Sequence, residues 1–455
     1  MVEVAKKIGI DIPIFCYHSG LSVVAQCRMC TVQIEKMGKL QTACSTPAAE
    51  GMVVHTESEP VKKNRSSVME FLLLNHPLDC PICDKSGECD LQDHSFDHGS
   101  AYMRSTEERR TYLDLDMGPV ITKNMNRCIH CTRCIRFGTE VANIHEMVAL
   151  KRGNNTEITT VDGKPLDTDY AGNYADVCPT GSLTLKDFRF NKRVWFLKKT
   201  PTICEGCSRG CNMEMHQDAN VIYRCLPRTN MEVNKYWLCD EGRFNYHYVQ
   251  NPDRIHEPVV ASGSGLSEDS WTGAIQAARA SLEGKKVAVL VGSALTQEEV
   301  KLLQGFVSRK LSGASLFHFG TPGVTSAADD APADKILKRK SKTSNLHGLE
   351  KLGVKGFTQM PAGTEAVLIV RGGKAVQPDL KGLPAVGVGV FNKPQVEKFK
   401  AVLPGASFAE KDGTIVNFEG REQKLKRSVL PPGQSKALSE IIMMWENSHS
   451  SAGVA

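Results

Sequence analysis

Every cysteine of this chain lies in its first 239 residues. The sequence has 455 residues and 16 cysteines, and the last of these is Cys239. The N-terminus carries no apolar segment of the kind that directs secretion, so metal or iron–sulfur ligation is favoured over a disulfide framework. We therefore expect a cysteine-rich half that does chemistry with sulfur and a cysteine-free half that does not.

Length and charge set broad limits on the chain. At ~150 residues per domain, its length predicts about three domains. The formal net charge is only +5, from 56 Lys and Arg residues against 51 Asp and Glu residues. A balance this even does not indicate a nucleic-acid partner. No apolar run approaches the ~18 residues that a membrane helix needs, so none is expected.

The first ligand set has the spacing C-x10-C-x2-C-x13-C and consists of Cys16, Cys27, Cys30 and Cys44. A close pair between two remote thiols is similar to a plant-type [2Fe–2S] loop, although the first gap is longer than usual. Four thiolates also suit zinc, which more often uses two close pairs. We therefore favour an iron–sulfur site.

The second set has one thiol fewer. Cys80, Cys83 and Cys89 leave one position of a [4Fe–4S] cubane without a thiolate. An imidazole there would make the cluster less negative, which by itself raises its reduction potential. Spacing gives His76 only a small lead over His94 and His98, so the choice of imidazole stays open.

The third set combines two halves of a ferredoxin pattern. Cys128, Cys131 and Cys134 match the opening of the run C-x2-C-x2-C-x3-C-P, whose fourth position here is Gly138. Cys178 and the proline after it match the end of a second run. In two-cluster ferredoxins the fourth cysteine of one run ligates the other cluster, so this trio and Cys178 predict one [4Fe–4S] cluster. The earlier positions of the second run hold Thr168, Ala171 and Tyr174.

Three arginines flank this trio, namely Arg127, Arg133 and Arg136. Cations at these positions would stabilise a cluster in its reduced, more negative state. A solvated basic face is the alternative, and the sequence does not decide between the two.

The fourth set has the spacing C-x2-C-x3-C-x27-C and consists of Cys204, Cys207, Cys211 and Cys239. Three close thiolates and one remote thiolate again suit a cubane. Of all the cysteines only Cys225 is then left over, and we expect it to be a small buried hydrophobe.

No catalytic motif is recognisable. The chain has no dinucleotide-binding G-x-G-x-x-G, no P-loop and no nucleophile–base triad. Its cysteine-free half offers no thiolate to a molybdenum or tungsten centre. Several clusters without substrate machinery indicate a conductor of electrons whose partners carry out the bond chemistry, so no catalytic residue is predicted.

Hydrophobic periodicity predicts different architectures in the two halves. The first half is expected to hold short helices and strands between cysteine loops: helices over 2–10, 61–75 and 183–188, and strands over 31–35 and 52–55. Residues 76–100 show little periodicity, and ligated metal is expected to organise them.

Residues 261–267 are predicted to be a linker to a parallel α/β sheet. The expected elements of that sheet are strands over 286–291, 315–319, 366–370 and 385–390, and helices over 296–311 and 395–402. Residues 320–360 are expected to be rich in loops, and residues 448–455 are expected to fray.

Nearly the whole chain resembles one known family, and the match is most specific in the N-terminal half. The matching segments are FCYHSGLSVVAQCRMC with Cys44, NHPLDCPICDKSGECDLQD, NRCIHCTRCIRF with VCPTGSL, CEGCSRGCN with LCDEGRF and, more weakly, FAEKDGTIVNFEGREQ. In this order they resemble the large iron–sulfur subunits of NADH–quinone oxidoreductase, which is respiratory complex I.

The resemblance implies an α+β multidomain fold. Its expected parts are an N-terminally trimmed β-grasp [2Fe–2S] ferredoxin-like domain over 1–60, a one-His/three-Cys [4Fe–4S] segment over 61–101, a [4Fe–4S] ferredoxin-like module over 102–196, a molybdopterin-oxidoreductase-type [4Fe–4S] domain over 197–252, and a truncated molybdopterin-oxidoreductase-like α/β domain over 253–455.

The resemblance also implies cofactors and partners. It carries His76 over as the imidazole ligand, and gives one [2Fe–2S] cluster, three [4Fe–4S] clusters and no functional molybdopterin. It implies electron transfer from flavin on an FMN/NADH-binding subunit, through other peripheral-arm iron–sulfur subunits, toward quinone, with the fourth cluster off the main path. The expected location is the cytoplasmic side of the bacterial inner membrane, with membrane contact only through the complex.

Three departures from the family pattern bear on these expectations. Family members usually begin with a β-hairpin ahead of residues 2–10, and its loss would expose a sheet edge, so we expect either an upstream start or a trimmed version. The C-terminal domain is shorter than in many members. Active molybdenum relatives carry a lysine near the fourth cysteine, whereas Asp240 and Glu241 follow Cys239 here, which argues against a working pterin site.

Other functions remain in competition. An iron–sulfur or catalytic-type subunit of an NAD-linked formate dehydrogenase, or a hydrogenase diaphorase, shares the N-terminal arrangement. The catalytic formate enzyme would need a second ferredoxin cluster and a Cys or selenocysteine metal ligand, which this sequence lacks. A zinc scaffold without enzymatic activity is the remaining alternative.

Overall fold

The computed structural model describes residues 1–263, 265–373 and 376–448, except the side chain of residue 154. The chain divides into two compact units, Met1–Leu197 and Lys198–Ala455. The fold is multidomain α+β, as the sequence predicted, while the finer division into five parts stays a prediction. Among the described residues, no helix is both long enough and apolar enough to cross a bilayer.

The first unit consists of short elements between long loops. Its helices are Val2–Lys7, Glu59–Leu73, Asp90–His98, Arg133–Phe137 and Gly172–Val177, with a π-helical turn at Gly138–Ala142. Its strands form three small antiparallel sheets, which are Gln41–Thr42, Thr31–Ile34 and Val54–His55; Leu115–Asp116, Ile121–Lys123 and Leu183–Leu185; and Met147–Leu150 with Glu157–Thr160.

The stretch 76–100, which shows little periodicity in the sequence, contains the helix Asp90–His98, and this helix buries only Leu91. One expectation for this unit was wrong. The predicted helix over 183–188 is instead the strand Leu183–Leu185, which pairs with Ile121–Lys123 in an antiparallel register. A pairing partner about sixty residues away decided this conformation, and local pattern does not reveal such a partner.

The second unit combines a small sheet with a large mixed one. The small antiparallel sheet consists of Lys198–Ile203, Asn212–Asp218 and Val221–Pro227. The large sheet has eight strands in the spatial order Gly265–Glu268, Val259–Ser262, Ala401–Pro404, Ala385–Gly389, Ala366–Arg371, Val287–Gly292, Ser315–Phe319 and Lys355–Gly356. The first two strands are antiparallel and the rest are parallel. Gly413–Val416 and Glu422–Leu425 form a separate hairpin.

Helices cover this sheet because its central strands are apolar on both faces. In the strand Val287–Gly292, Val289 and Val291 face one core cluster and Leu290 faces another. The helices of this unit are Asp240–Arg243, Trp271–Leu282, Gln297–Lys310, Leu346–Lys351 and Leu438–Asn447. The parallel α/β sheet and its four predicted strands are thereby confirmed.

The structure corrects two further expectations. Residues 261–267, predicted as a linker, contribute to the first two strands of the sheet, Gly265–Glu268 and Val259–Ser262. The helix expected over 395–402 is absent: Lys393–Gln395 is a single 3-10 turn, and Ala401–Pro404 joins the sheet as a fully buried strand. Of the predicted frayed end, residues 449–455 lie outside the described residues.

Candidate metal centres

The structure brings the four thiols of the first set together. The carbonyl of Cys30 accepts a hydrogen bond from the N–H of Ala43 at 3.0 Å, which holds the next residue, Cys44, close by. The N–H of Cys16 donates to the Sγ of Cys27 at 3.5 Å. Side-chain hydrogen bonds with Cys27 and then Cys44 lower the pKa of Cys16, and the hydrogen bond with Cys44 lowers the pKa of Cys30.

The third set lines a single cavity of the first unit, to which Cys128, Cys131, Cys134 and Cys178 all contribute. Burial raises the pKa of Cys131 to about 12 and that of Cys134 well above its ordinary value. Thiols this costly to ionise become thiolates when a metal cation offsets the charge, so the donor set fits a cluster. Their role as ligands stays a prediction.

The second set lies partly at the surface. Cys83 and Cys89 are buried, whereas Cys80 is exposed. The Nδ1 atom of His76 is buried and has no hydrogen-bond partner among the described residues. Burial, reinforced by the charge of Arg127, lowers the pKa of His76 to about 4, which leaves the imidazole neutral, the form that binds metal.

The two alternative imidazoles make ring contacts instead. His94 packs edge-on against Phe15 with ring centroids 5.1 Å apart, and His98 lies 6.1 Å from His94. Both residues belong to the helix Asp90–His98. The assignment of His76 as the ligand nevertheless stays a prediction.

One loop is shared by the second and third sites. Cys178 lines the third cavity, while the carbonyl of Pro179 lies 3.6 Å from the Sγ of Cys89. A Cβ added at Gly181 would collide with the Sγ of Cys83, so the backbone can approach this thiol only because the residue is glycine. The two sites are therefore separated by a single stretch of backbone.

A buried apolar cluster extends to all three sites of the first unit. It contains one cysteine of each set, namely Cys16, Cys89 and Cys131. The side chains packed with them are Phe15, Met29, Met69, Leu91 and Ile129. Because these side chains exclude water, the three thiols share one dry interior.

The three flanking arginines do not form a solvated basic face. Arg127, Arg133 and Arg136 are only 5%, 6% and 6% exposed. Arg127 donates to Asp79, with Nη2 2.9 Å from Oδ2, and Arg133 lies 3.7 Å from Asp90. The alternative of surface solvation is therefore wrong for all three.

Backbone N–H groups point at the thiols of several sets. His130 donates to the Sγ of Cys128 at 3.4 Å, and Gly206 donates to the Sγ of Cys204 at 3.3 Å. His130 has a left-handed backbone, with φ of 54°, which costs energy in a residue other than glycine. Hydrogen bonds to sulfur are among the features that set the reduction potential of a bound cluster.

The fourth set is fully buried in the second unit. Cys204 donates its N–H to the carbonyl of Cys211 at 2.8 Å, which closes the loop that holds Cys207. The remote Cys239 is brought to them by Gly242: a Cβ there would stand 2.8 Å from the Sγ of Cys204 and 3.4 Å from that of Cys239. Burial raises the pKa of Cys239 to about 12.

A buried asparagine connects the two halves of the fourth site. Asn234 accepts a hydrogen bond from the N–H of Asn212 at 2.9 Å and donates to the carbonyl of Trp237 at 3.1 Å. It thereby ties the residue after Cys211 to the segment before Cys239. The leftover Cys225 is completely buried in a strand, as expected of a small hydrophobe.

A buried carboxylate lies at the crevice of the large sheet, where relatives with a pterin would bind an anionic cofactor. In doubly wound sheets ligands bind where strand order reverses, here at the carboxyl ends of Val287–Gly292 and Ala366–Arg371. The buried carboxylate of Glu205 lies at that edge: a Cβ at Gly373 would stand 2.9 Å from its Oε2, and the hydroxyl of Tyr248 donates to its Oε1 at 2.5 Å. A buried carboxylate there disfavours an anionic, phosphate-bearing ligand.

Sequence reasoning missed one residue of the third site. Lys123 is only 1% exposed and lines the cavity beside the four cysteines. The alternating burial of the strand Ile121–Lys123 places this lysine on the same inward face as Ile121. Period-two alternation was the signal that could have revealed it.

The described ranges hold no group of three or more His, Cys, Asp or Glu side chains that could hold a single metal ion.

Five family models match the chain. Their descriptions are the 2Fe-2S iron-sulfur cluster binding domain (1–59), the NADH-ubiquinone oxidoreductase-G iron-sulfur binding region (65–104), the ferredoxin-like domain of NADH-quinone oxidoreductase subunit 3 (118–184), the molybdopterin oxidoreductase Fe4S4 domain (197–251) and molybdopterin oxidoreductase (390–444).

A solved NAD+-reducing [NiFe]-hydrogenase in its H2-reduced state is 29% identical, over 42% of this chain and 83% of that one. Its TM-score of 0.37 is too low to support an argument about the fold.

Curated relatives are more informative. The G subunit of NADH-quinone oxidoreductase from Rickettsia felis is 41% identical over 310 residues, which are 68% of this chain and 46% of that protein. The NADH-ubiquinone oxidoreductase 75 kDa subunit of Reclinomonas americana is 36% identical over 76% of this chain and 50% of its own length. The chain thus spans about half the length of the curated relatives it matches. It belongs to their family, as a homologue of the G subunit of NADH-quinone oxidoreductase and of the 75 kDa subunit.

Proposed function

We propose that this chain is an electron-relay subunit of NADH–quinone oxidoreductase. The observation that carries the proposal is that one thiol from each of the first three sets, Cys16, Cys89 and Cys131, belongs to a single buried cluster. A relay requires centres that are close together, insulated from water and connected through packed protein. The dry interior of the first unit provides these conditions.

The proposed cofactors are one [2Fe–2S] cluster at the first set and one [4Fe–4S] cluster at each of the other three. Their ligands would be Cys16, Cys27, Cys30 and Cys44; His76, Cys80, Cys83 and Cys89; Cys128, Cys131, Cys134 and Cys178; and Cys204, Cys207, Cys211 and Cys239. Bound clusters supply one-electron redox chemistry. The loop from Cys178 to Gly181 would hold two of them at a short separation, because it contacts thiols of both sets.

The chain itself would bind the clusters, keep water away from them and surround them with hydrogen-bond donors. Buried thiols and the N–H groups that donate to them fix each site, and the apolar side chains between the sites exclude water. No residue of this chain is proposed to bind NADH or quinone. The proposed partners are an FMN/NADH-binding subunit and other iron–sulfur subunits of the peripheral arm, on the cytoplasmic side of a bacterial inner membrane.

The fourth set is proposed to serve the fold of the second unit and to lie off the path of electrons. Its thiols are enclosed by Asn234 and Gly242, which make contacts that hold distant segments together. The buried carboxylate of Glu205 lies at the edge of the neighbouring crevice, and no step through a pterin is part of the proposed function.

Anaerobic purification tests the proposal. We expect a brown protein with iron and acid-labile sulfide in amounts that correspond to all four clusters, and with both [2Fe–2S] and [4Fe–4S] EPR signals after reduction by dithionite. A protein that contains zinc without iron, or that stays colourless and EPR-silent after dithionite, would overturn it.

A further inference from the structure

Arg136 is a buried cation for which the described residues provide no carboxylate partner. It is 6% exposed, and in the part of the chain that the structure describes all of its hydrogen bonds go to backbone carbonyl groups. A guanidinium stays charged at any physiological pH. Burial of an unpaired charge is unfavourable, so a negative group that compensates it must be close when the protein is functional.

The carbonyls that Arg136 binds identify that group. Its Nη2 lies 2.5 Å from the carbonyl oxygen of Cys16 and 3.3 Å from that of Cys131, and its Nη1 donates to the carbonyl of Ser22. One guanidinium therefore touches a ligand residue of the first set and a ligand residue of the third. A cluster held by four thiolates is an anion, and it gains a further negative charge when it is reduced.

The other buried arginines differ in this respect. Arg127 has Asp79 at 2.9 Å and Arg133 has Asp90 at 3.7 Å. Glu140 approaches the same loop as Arg136, but it is exposed and binds the N–H of Ser22 at 2.8 Å instead. Arg136 thus has an uncompensated charge and contacts with two sites.

We propose that Arg136 is a shared counter-cation of the first and third cluster sites, which favours the reduced form of both. This inference rests on the proposed cofactors, because the charge acts on clusters. Arg136 is a positioning and electrostatic residue: it binds no electron and forms or breaks no bond. Each reduction adds one electron to one cluster, and the fixed positive charge stabilises the product more than the oxidised form.

The test is an EPR-monitored redox titration of the complete, cluster-loaded chain. In Arg136→Gln we expect the ratio of reduced to oxidised cluster at a fixed potential to fall about tenfold at both sites, which is about 59 mV for one electron. Arg136→Lys keeps the charge and should recover most of this loss. Lys123→Met, which removes a cation that lines only the third cavity, should affect the third site and leave the first unchanged.

Two controls distinguish the loss of the Arg136 charge from a loss of folding or of bound clusters. Arg104→Gln removes a 75% exposed charge that solvent screens, and should change neither ratio more than about twofold. If Arg136→Gln retains no iron as purified, its clusters are rebuilt anaerobically with iron and sulfide, and the same titration of the rebuilt variant decides. Loaded wild-type protein with unchanged potentials in the decisive variant would overturn the inference, whereas wild-type protein without clusters would overturn the proposed function.

Discussion

The three sites of the first unit and the single site of the second are built differently. In the first unit the sites share structure: one apolar cluster contains a thiol of each, and the loop from Cys178 to Gly181 contacts two. In the second unit the fourth set has its own enclosure, in which Asn234 and Gly242 draw together segments about thirty residues apart. Sites that share packed residues are suited to electron transfer between them. A site enclosed by its own residues, which we call the private enclosure of the fourth set, is suited to stabilising the fold.

This difference teaches that the number of cysteines alone does not identify an electron path. All four sets have ligand spacings suited to clusters, and burial raises the pKa of thiols in the third and the fourth set alike. The contacts that link the first three sites to one another are the feature that these properties do not reveal. A variant at one thiol of the first unit and a variant at one thiol of the fourth set can therefore test whether the two kinds of site differ in function.

The largest effect is expected from Cys131→Ala. Cys131 contributes to both the third cavity and the shared apolar cluster, so its loss should abolish NADH–quinone activity of the assembled complex. NADH–ferricyanide activity should persist, because the flavin would lie on a partner subunit. Both activities are measured on the same membranes, and the loss of both together would contradict a relay role.

Cys207→Ala should act on assembly instead of rate. The change removes one of four buried donors from the private enclosure, so we expect a several-fold lower yield of assembled complex. Turnover per assembled complex should stay near the wild-type value. Quantitative blotting alongside activity distinguishes the two, and a rate defect with normal assembly would place the fourth site on the path.

His76→Cys should have an intermediate effect. A thiolate in place of a neutral imidazole adds a negative charge, so the second cluster should remain bound and its potential should fall by about 59 mV or more. EPR titration measures this shift, with His94→Ala as the matched control. If the signal of the second cluster is unchanged in His76→Ala, the ligand is a different residue.

The sequence predicted those features that follow from motif spacing and apolar runs. It did not predict those that depend on contacts between segments far apart in the chain. Ligand spacing predicted that Cys178 would join the trio, because the ferredoxin run fixes it, and apolar runs such as Val287–Gly292 predicted the parallel sheet. The hairpin that contains residues 261–267 pairs within itself, but its place in the sheet depends on the remote pairing of Val259–Ser262 with Ala401–Pro404. The burial of Arg136 depends on contacts with Cys16 and Ser22 more than a hundred residues away.

The smallest effect is expected at Cys225, the thiol assigned to no site. It is fully buried in the strand Val221–Pro227, and its carbonyl accepts a hydrogen bond from Arg243 at 3.2 Å. Cys225→Ala keeps that backbone contact and removes one sulfur, so the free energy of unfolding should fall by about 1 kcal/mol, with iron content unchanged. Thermal denaturation and iron analysis measure the two quantities. Iron lost in proportion to one cluster would make Cys225 a ligand, and the private enclosure of the fourth site would then extend into its sheet.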